Sequence, residues 1–383
     1  GRRRLVLAVL DRNQVSITTD GSGGDIDRLH ARWNGPGLDD LQRMDLQVAA
    51  HVGGGHPRLW LGKEDVAAAR SRLAAWPWMQ ERFAAQAAKP GIDPAGAYLA
   101  SGDEEWASVA LTELAAQLED MVELLLDYGP TTDGALGISL ARRWRSLLIN
   151  LDLVLGSATA GDRSRILRQL AFVAEVQWTD DAWPANDSGI ERGNDNFHPD
   201  VVSARGMAAA FLDGHPRQQQ WLAAAVTEMG AFLDRYHTAS GAGREAATYQ
   251  LVSLGYALQL HVAAVRRGQE GLAELPAFRR AFEFLAATQT PVDERCGYRM
   301  LPTVGHVTVY AWCQTLQACF AWAARATAGT DFSRRMMRAW QRGGGHVISL
   351  HDYQQNSVWT PPLLLLDHQL PGTTDDDDLR ESR

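Results

Sequence analysis

Cysteine is scarce in this chain. Its 383 residues include three, Cys296, Cys313 and Cys319. None stands in a CxxC pair, which speaks against a zinc site, and an odd count gives no disulfide framework. Cys313 and Cys319 fall in an apolar helical run and are expected as buried thiols. There is no run of about 18 apolar residues, so no membrane span is expected. No HExxH and no clustered Asp motif is present, so no metal and no cofactor is expected. Gly53-Gly54-Gly55 lacks the Lys-Ser/Thr of a phosphate loop, which removes nucleotide binding. The chain opens with Arg2-Arg3-Arg4 and the apolar piece Leu5 to Leu10, with no small-residue cleavage site after it, so no signal peptide is expected there. Positive charge is the minority sign: 37 Lys and Arg against 46 Asp and Glu, a net charge of -9. That balance argues against nucleic acid as a partner. It leaves an anionic substrate open, because a local cluster of Arg and His can outweigh the global sign.

What is present is an ordinary globular composition, 45% hydrophobic and 22% charged. The length would fit two or three domains, although helical rings of this size fold as one. Tryptophan is plentiful, with 13 residues. Trp faces stack on sugar rings, but the plainer reading for most of them is core packing. After Gly62-Lys63-Glu64-Asp65, an acidic first turn, Val66, Ala69, Leu73 and Trp76 recur at helical spacing. Further helical segments are expected over 103–127, 138–157, 161–178, 198–213, 216–237, 246–266, 276–288, 306–328 and 331–342. Asp103, Asp162 and Asp331 stand where caps or first-turn acids belong, and Gly129, Gly214 and Gly329 where helices should stop. Val15–Thr19 reads as a short strand. The expected class is therefore all-α, built of alternating antiparallel hairpins. Such hairpins make bundles, solenoids or closed α/α toroids, and the lack of a fixed-period repeat disfavours the solenoid.

The expected division is a weakly patterned segment over 1–55, a helical domain over 56–342, and an extension over 343–383. His346–Leu350 could form a strand in that extension, and an acidic run, Asp375 to Asp378, follows. One long polar loop, 179–197, interrupts the helices, and such loops in compact helical domains are usually functional or disordered.

Chemistry concentrates between Glu191 and Gln250. Glu191-Arg192-Gly193-Asn194-Asp195-Asn196-Phe197-His198 sits at one hairpin mouth. Gly243-Arg244-Glu245-Ala246-Ala247-Thr248-Tyr249 sits at the next. Asn196 would cap a helix and His198 face solvent in the plainer reading. In the sharper one an amide and an imidazole hydrogen-bond a substrate carboxylate. Tyr249 lies four residues after Glu245, which on a helix puts both on one face. A phenol assisted by Arg244 can take a proton from carbon and return one to a leaving oxygen. Glu245 orients that machinery, binds substrate, or is a first-turn acid. Arg192, Trp183, Arg299, His306 and Tyr310 complete the expected substrate contacts, the last three around the turn Pro302 to Gly305.

Taken in order, these segments resemble the heparinase II/III-like and alginate lyase group of polysaccharide lyases. His56-Pro57-Arg58-Leu59 with Glu64-Asp65 is similar to the start of that family's toroid. Asn196-Phe197-His198 resembles its Asn/His segment, Glu245 to Tyr249 its E-x-x-x-Y segment, and Leu301 to Gly305 its P-x-x-G-D turn, with His306 in place of the acid. The resemblance spans 56 to 310. It implies an incomplete (α/α) toroid and β-elimination on a uronate-containing polysaccharide outside the cytoplasm. Asn196 would neutralise the uronate carboxylate, Tyr249 would be the acid, alone or as acid and base together, and His198 would be a base or carboxylate partner. The family continues into a β-sandwich, for which 343–383 would be the start. Carboxylate-only polymers such as alginate fit the acidic chain better than sulfated ones. Two other classes compete. A glycoside hydrolase needs two carboxylates across the cleft, drawn from Asp195, Asp200 and Glu245. A sugar-binding protein without catalysis needs the ring and its Trp residues but no ionisable Tyr.

Overall fold

Apolar residues at helical spacing, punctuated by capping hydroxyls and glycines, set the elements of this chain. The computed structural model describes residues 5–11, 14–19, 55–74, 94–128, 138–178, 196–302 and 317–345. Within them lie α1 (Lys63–Ala74), α2 (Pro94–Ser101), α3 (Glu104–Tyr128), α4 (Ile138–Val154), α5 (Ala160–Gln177), α6 (Phe197–Phe211), α7 (Gln218–Tyr236), α8 (Ala247–Arg266), α9 (Pro276–Ala287), α10 (Ala318–Ala326) and α11 (Asp331–Arg342). The described chain is mostly helical, as expected. Two strands, β1 (Leu5–Asp11) and β2 (Gln14–Thr19), pair antiparallel with Leu5 opposite Thr19. The strand at Val15–Thr19 is thus half of a hairpin whose other half is the apolar N-terminal piece. No described helix is long and apolar enough to cross a membrane.

The helix starts use hydroxyls and acids in different roles. Thr159 Oγ1 accepts from the Asp162 amide at 3.1 Å, and Thr330 Oγ1 from the Ser333 amide at 3.0 Å. Asp162 and Asp331 are therefore first-turn acids favoured by the helix dipole, while the threonine before each helix caps it. Asp103 caps directly, accepting from the Glu105 amide at 3.0 Å. Gly214 and Gly329 adopt left-handed φ of 91° and 85° just past α6 and α10, as a stop signal requires. Gly129, the residues 306–316 of the expected ninth helix, and everything past Gly345 lie outside the described residues.

Packing sorts most of the helices into two layers. The even-numbered α2, α4, α6, α8 and α10 each pack on the next even-numbered helix. The odd-numbered helices lie over them, with α3 on α2 and α4, α7 on α6 and α8, α9 on α8, and α11 on α10. Burial follows the same division. Every residue of α6 from His198 to Phe211 is buried, and α8 is buried almost all round. α11 buries only one stripe, including Phe332, Met336, Met337 and Trp340. Gly206 lets α6 sit at the centre: a Cβ there would lie 2.3 Å from Leu260 Cδ1 and 2.9 Å from Ala225 Cβ. Among the described tryptophans, Trp60, Trp144, Trp221, Trp322 and Trp340 follow the plainer reading and are buried in the core. Cys319 is buried too, and burial pushes its thiol pKa up.

One end of the inner layer is clamped by the segment before α1. Asp152, near the end of α4, accepts from the Arg58 amide at 3.0 and 2.9 Å and from the Leu59 amide at 2.8 Å, and pairs with His56 Nδ1 at 2.6 Å. Arg58 reaches Asp213 just past α6 at 3.0 Å. Arg266, at the end of α8, donates to the Trp60 carbonyl at 3.1 Å and pairs with Asp65. The C-terminal ends of α4, α6 and α8 therefore gather at one end, and these three helices run parallel. The His56-Pro57-Arg58-Leu59 motif is structural: it ties those ends together.

α5 departs from simple alternation. Its last turn meets the start of α7, not that of α6. Glu175 pairs with His215 Nε2 at 2.9 Å and with Arg217, and Trp178 stacks on Trp221 with centroids 5.8 Å apart.

Candidate functional site

The opposite end of the inner layer carries the charged groups. α6 begins at Phe197, and Asn196 is its N-cap residue, yet the Asn196 side chain makes no capping bond. Its amide Nδ2 donates instead to Glu245 Oε1 at 3.0 Å, and its backbone N–H to Glu245 Oε2 at 2.9 Å. Tyr236, in the last turn of α7, donates to Glu245 Oε2 at 2.6 Å. Burial first, and then the Glu245 carboxylate, raise the Tyr236 pKa far above an ordinary phenol. Tyr236 is therefore a proton donor held in place, not a base.

The expected helix-face pairing of Glu245 with Tyr249 does not occur. α8 starts at Ala247, so Glu245 belongs to the loop 238–246 and turns back onto α6 and α7. That loop is fixed by Gln250, whose Oε1 accepts from the Gly243 amide at 2.8 Å and whose Nε2 donates to the Gly241 carbonyl at 2.6 Å. Gly241 has φ of 92° and comes so close to α9 that a Cβ would meet the Arg280 carbonyl oxygen at 2.2 Å. Of the roles weighed for Glu245, the geometry selects orientation: the carboxylate aims the Asn196 amide.

A second network lies deeper. Asp200, on the first turn of α6, is fully buried. It accepts from Arg142 Nε at 3.0 Å and is paired with Arg145, both on α4. The Arg145 guanidinium lies 4.2 Å over the Tyr256 ring on α8. Burial and Asp200 push the Tyr256 phenol up to about 12, against the pull of Arg145 and Arg142. Burial works against the charge of Arg142, but Tyr256 and Asp200 outweigh it and hold its pKa above the usual value. Two arginines thus face one carboxylate, and Arg142, 25% exposed, is the member that reaches the surface. Arg142 lies one turn nearer the mouth than Arg145. Tyr249 lies two turns nearer than Tyr256 on the same face of α8, roughly 10 Å along the axis. Tyr249 is half-buried. The three parallel helices therefore bring Arg142, Asn196 and Tyr249 to one mouth.

The remaining expected residues separate. His198 faces neither solvent nor an open cleft. It is buried, stacks on Phe232 of α7 with centroids 5.3 Å apart, and has Nε2 3.5 Å from Glu228. The α6–α7 contact claims its ring because His198 stands one position past Phe197 on a helix buried all round. Arg244 is exposed in the loop before α8. Arg299 is in a turn at the ends of α9 and α11, its amide donating to the Arg342 carbonyl at 2.8 Å. Arg192, Trp183, His306, Tyr310 and Asp195 lie outside the described residues.

Arg142, Arg145, Tyr236 and Tyr256 were not among the expected residues. A signal for three of them exists in the sequence: Arg142 and Arg145 are one helical turn apart on α4, and Tyr249 and Tyr256 two turns apart on the largely apolar α8. An open groove of about 580 Å³ between α3 and α5, lined by Glu104, Glu119, Asp162 and Arg165 among others, involves none of these residues. No family model matches the chain, and a search of curated proteins finds no match.

Proposed function

We propose that this protein is a polysaccharide lyase that cleaves a uronate-containing polymer by β-elimination, its inner helices forming the wall of an incomplete α/α toroid. The observation that carries the reading is the state of two described carboxylates, Glu245 at the mouth and Asp200 below it. Glu245 is engaged by Asn196 and Tyr236, and Asp200 by Arg142, Arg145 and Tyr256. A glycosidase needs one carboxylic acid and one carboxylate facing the scissile bond. Here both serve as orienting acceptors. What they orient is an amide, a guanidinium and, beside them, a phenol.

In this reading the uronate carboxylate lies between the second N–H of the Asn196 amide and the Arg142 guanidinium. An amide has two such donors, and Glu245 uses one. Neutralising that carboxylate acidifies the proton on C5, because the negative charge of the carbanion spreads onto the carboxylate oxygens. Tyr249 takes the C5 proton. The electron pair forms the C4–C5 double bond, the C4–O bond breaks, and the departing oxygen receives a proton from the same phenol. Arg142, facing the uronate carboxylate, stabilises the charge that develops on it as the C5 proton leaves. His198, enclosed against α7, positions α6 and does not touch substrate. A polymeric substrate places the activity outside the cytoplasm.

The test is ultraviolet absorbance of the unsaturated product over a panel of alginate, glucuronan, hyaluronan, chondroitin and heparan sulfate. Absorbance should rise on a polyuronate, and Tyr249→Phe should lower kcat by about 10²–10⁴-fold. Reducing ends without absorbance would replace the reading with hydrolysis. Tight binding without either product would leave a sugar-binding protein.

A further inference from the structure

Charge is sorted unevenly over the outer helices. α3 carries only acids among its charged residues, from Glu104 to Asp127. α11 carries Arg334, Arg335, Arg338 and Arg342, which at 100° per residue fall on one face opposite the buried Phe332, Met336 and Trp340. The stripe opens with the first-turn acid Asp331, which pairs with Arg334, and Arg335 pairs with Glu283 of α9 at 2.5 Å. Both pairs are largely exposed and so are worth little to stability. Their arginines can exchange a protein carboxylate for another at small cost. The stripe lies beside the mouth's loop with α9 between them: α9 packs on α11 and, through Arg280, on Gly241 of the loop that carries Glu245.

We propose that the arginine stripe of α11 is a docking track for the part of a polyuronate chain that extends beyond the mouth. The inference rests on the reading that the mouth itself takes a uronate. Arg334, Arg338 and Arg342 recur every four residues, roughly 6 Å apart along the helix axis. That is comparable to the step from one carboxylate to the next in an extended polyuronate. The guanidinium fork binds a carboxylate bidentately, whereas a solvated lysine would act only as a point charge. A chain of up to four sugars held at the mouth spends its length there and over α9, while a long chain crosses α9 and engages the stripe. The track therefore favours polymer over oligomer without touching the reacting sugar. Nucleic acid is the other polyanion with this charge, and the acidic balance of the chain and of α3 disfavours it.

The experiment measures binding by titration calorimetry for a tetrasaccharide and a polymer-length chain of the same polyuronate, with an RNA oligomer as third ligand. It compares wild type, Arg334→Gln/Arg342→Gln and Arg142→Gln, each checked by thermal melting. Glutamine is a good helix former on an exposed face, so the double variant should melt like wild type. Wild type should bind the long chain about tenfold more tightly than the tetrasaccharide, with an advantage that shrinks in salt. The double variant should bind the tetrasaccharide unchanged and lose that advantage. Arg142→Gln should weaken both sugars together. A length advantage that survives in the double variant, or that is absent from wild type, overturns the track. Tighter binding of RNA than of the long polyuronate also overturns it. A long chain bound through the stripe with no tetrasaccharide binding would keep the track and reject the reading of the mouth.

Discussion

Glu245 is the residue on which the mouth depends most directly. Its two oxygens take the backbone and side-chain amides of Asn196 at the start of α6 and the phenol of Tyr236 on α7. Removing one donor leaves the charge partly unsatisfied in a half-buried place, which costs about 1–3 kcal/mol. Tyr236→Phe should therefore lower stability by that order, read as a drop in melting temperature. It should also reduce kcat on a polyuronate, because the Asn196 amide loses its fixed aim. A melt and a kcat both equal to wild type would show that Glu245 needs only Asn196. His261 makes a different kind of prediction. Burial holds its imidazole pKa down at about 4. The folded state thus keeps His261 neutral in a range where the unfolded chain, near its ordinary value of about 6.5, takes up a proton. Its contribution is complete above about pH 6.5 and is lost as pH falls toward 4, an effect of roughly 2–3 kcal/mol. The urea midpoint should fall over that interval. His261→Leu should flatten the fall, and an unchanged slope in that variant would assign the pH dependence to other groups.

At the scale of elements, close approach and clamping decide. α6 touches α7 and α8 at Gly206 with no room for a methyl group. Alanine would normally gain about 1 kcal/mol inside a helix. Here Leu260 can turn aside, but Ala225 Cβ moves only with the helix, so Gly206→Ala should destabilise by about 1–3 kcal/mol. A melting temperature above wild type would mean that α6 and α7 separate easily. Asp152 is the matching case at the clamped end. Asp152→Ala leaves the Arg58 and Leu59 amides and His56 without their buried acceptor and should cost about 3–5 kcal/mol, with loss of the fold at moderate urea concentration. Most elements were legible from apolar spacing, caps and glycines, with boundaries displaced by a few residues. α2 was not: Pro94–Ser101 is short and small-residue rich, with too few large apolar side chains to show a period. The role of Asp152 was not legible either, because the residues it binds lie 93 to 96 positions away.

For the whole molecule, layering separates stability from chemistry. The mouth was half legible. Asn196, Glu245 and Tyr249 stood out because polar clusters at helix starts are conspicuous. Asp200 stood out only as a possible hydrolase carboxylate and Arg145 not at all, since a buried ion pair between two helices looks from sequence like two unrelated charges. The same layering predicts how the protein opens. α6 and α8 are enclosed on all sides, whereas α3 and α11 keep one face in water. An amide in α6 or α8 exchanges only when neighbouring helices part, which approaches global unfolding. An amide on an outer helix exchanges through local fraying at lower cost. Hydrogen exchange followed by mass spectrometry should therefore find the slowest amides over 201–210 and 251–264, and faster exchange over 331–342. The mouth then sits on the rigid inner helices, which keeps Arg142, Asn196 and Tyr249 at fixed separations, as the proposed proton abstraction would require. Equal protection in α11 and α6 would mean that the layers unfold together, and would move the source of that rigidity from burial to the clamp at Asp152.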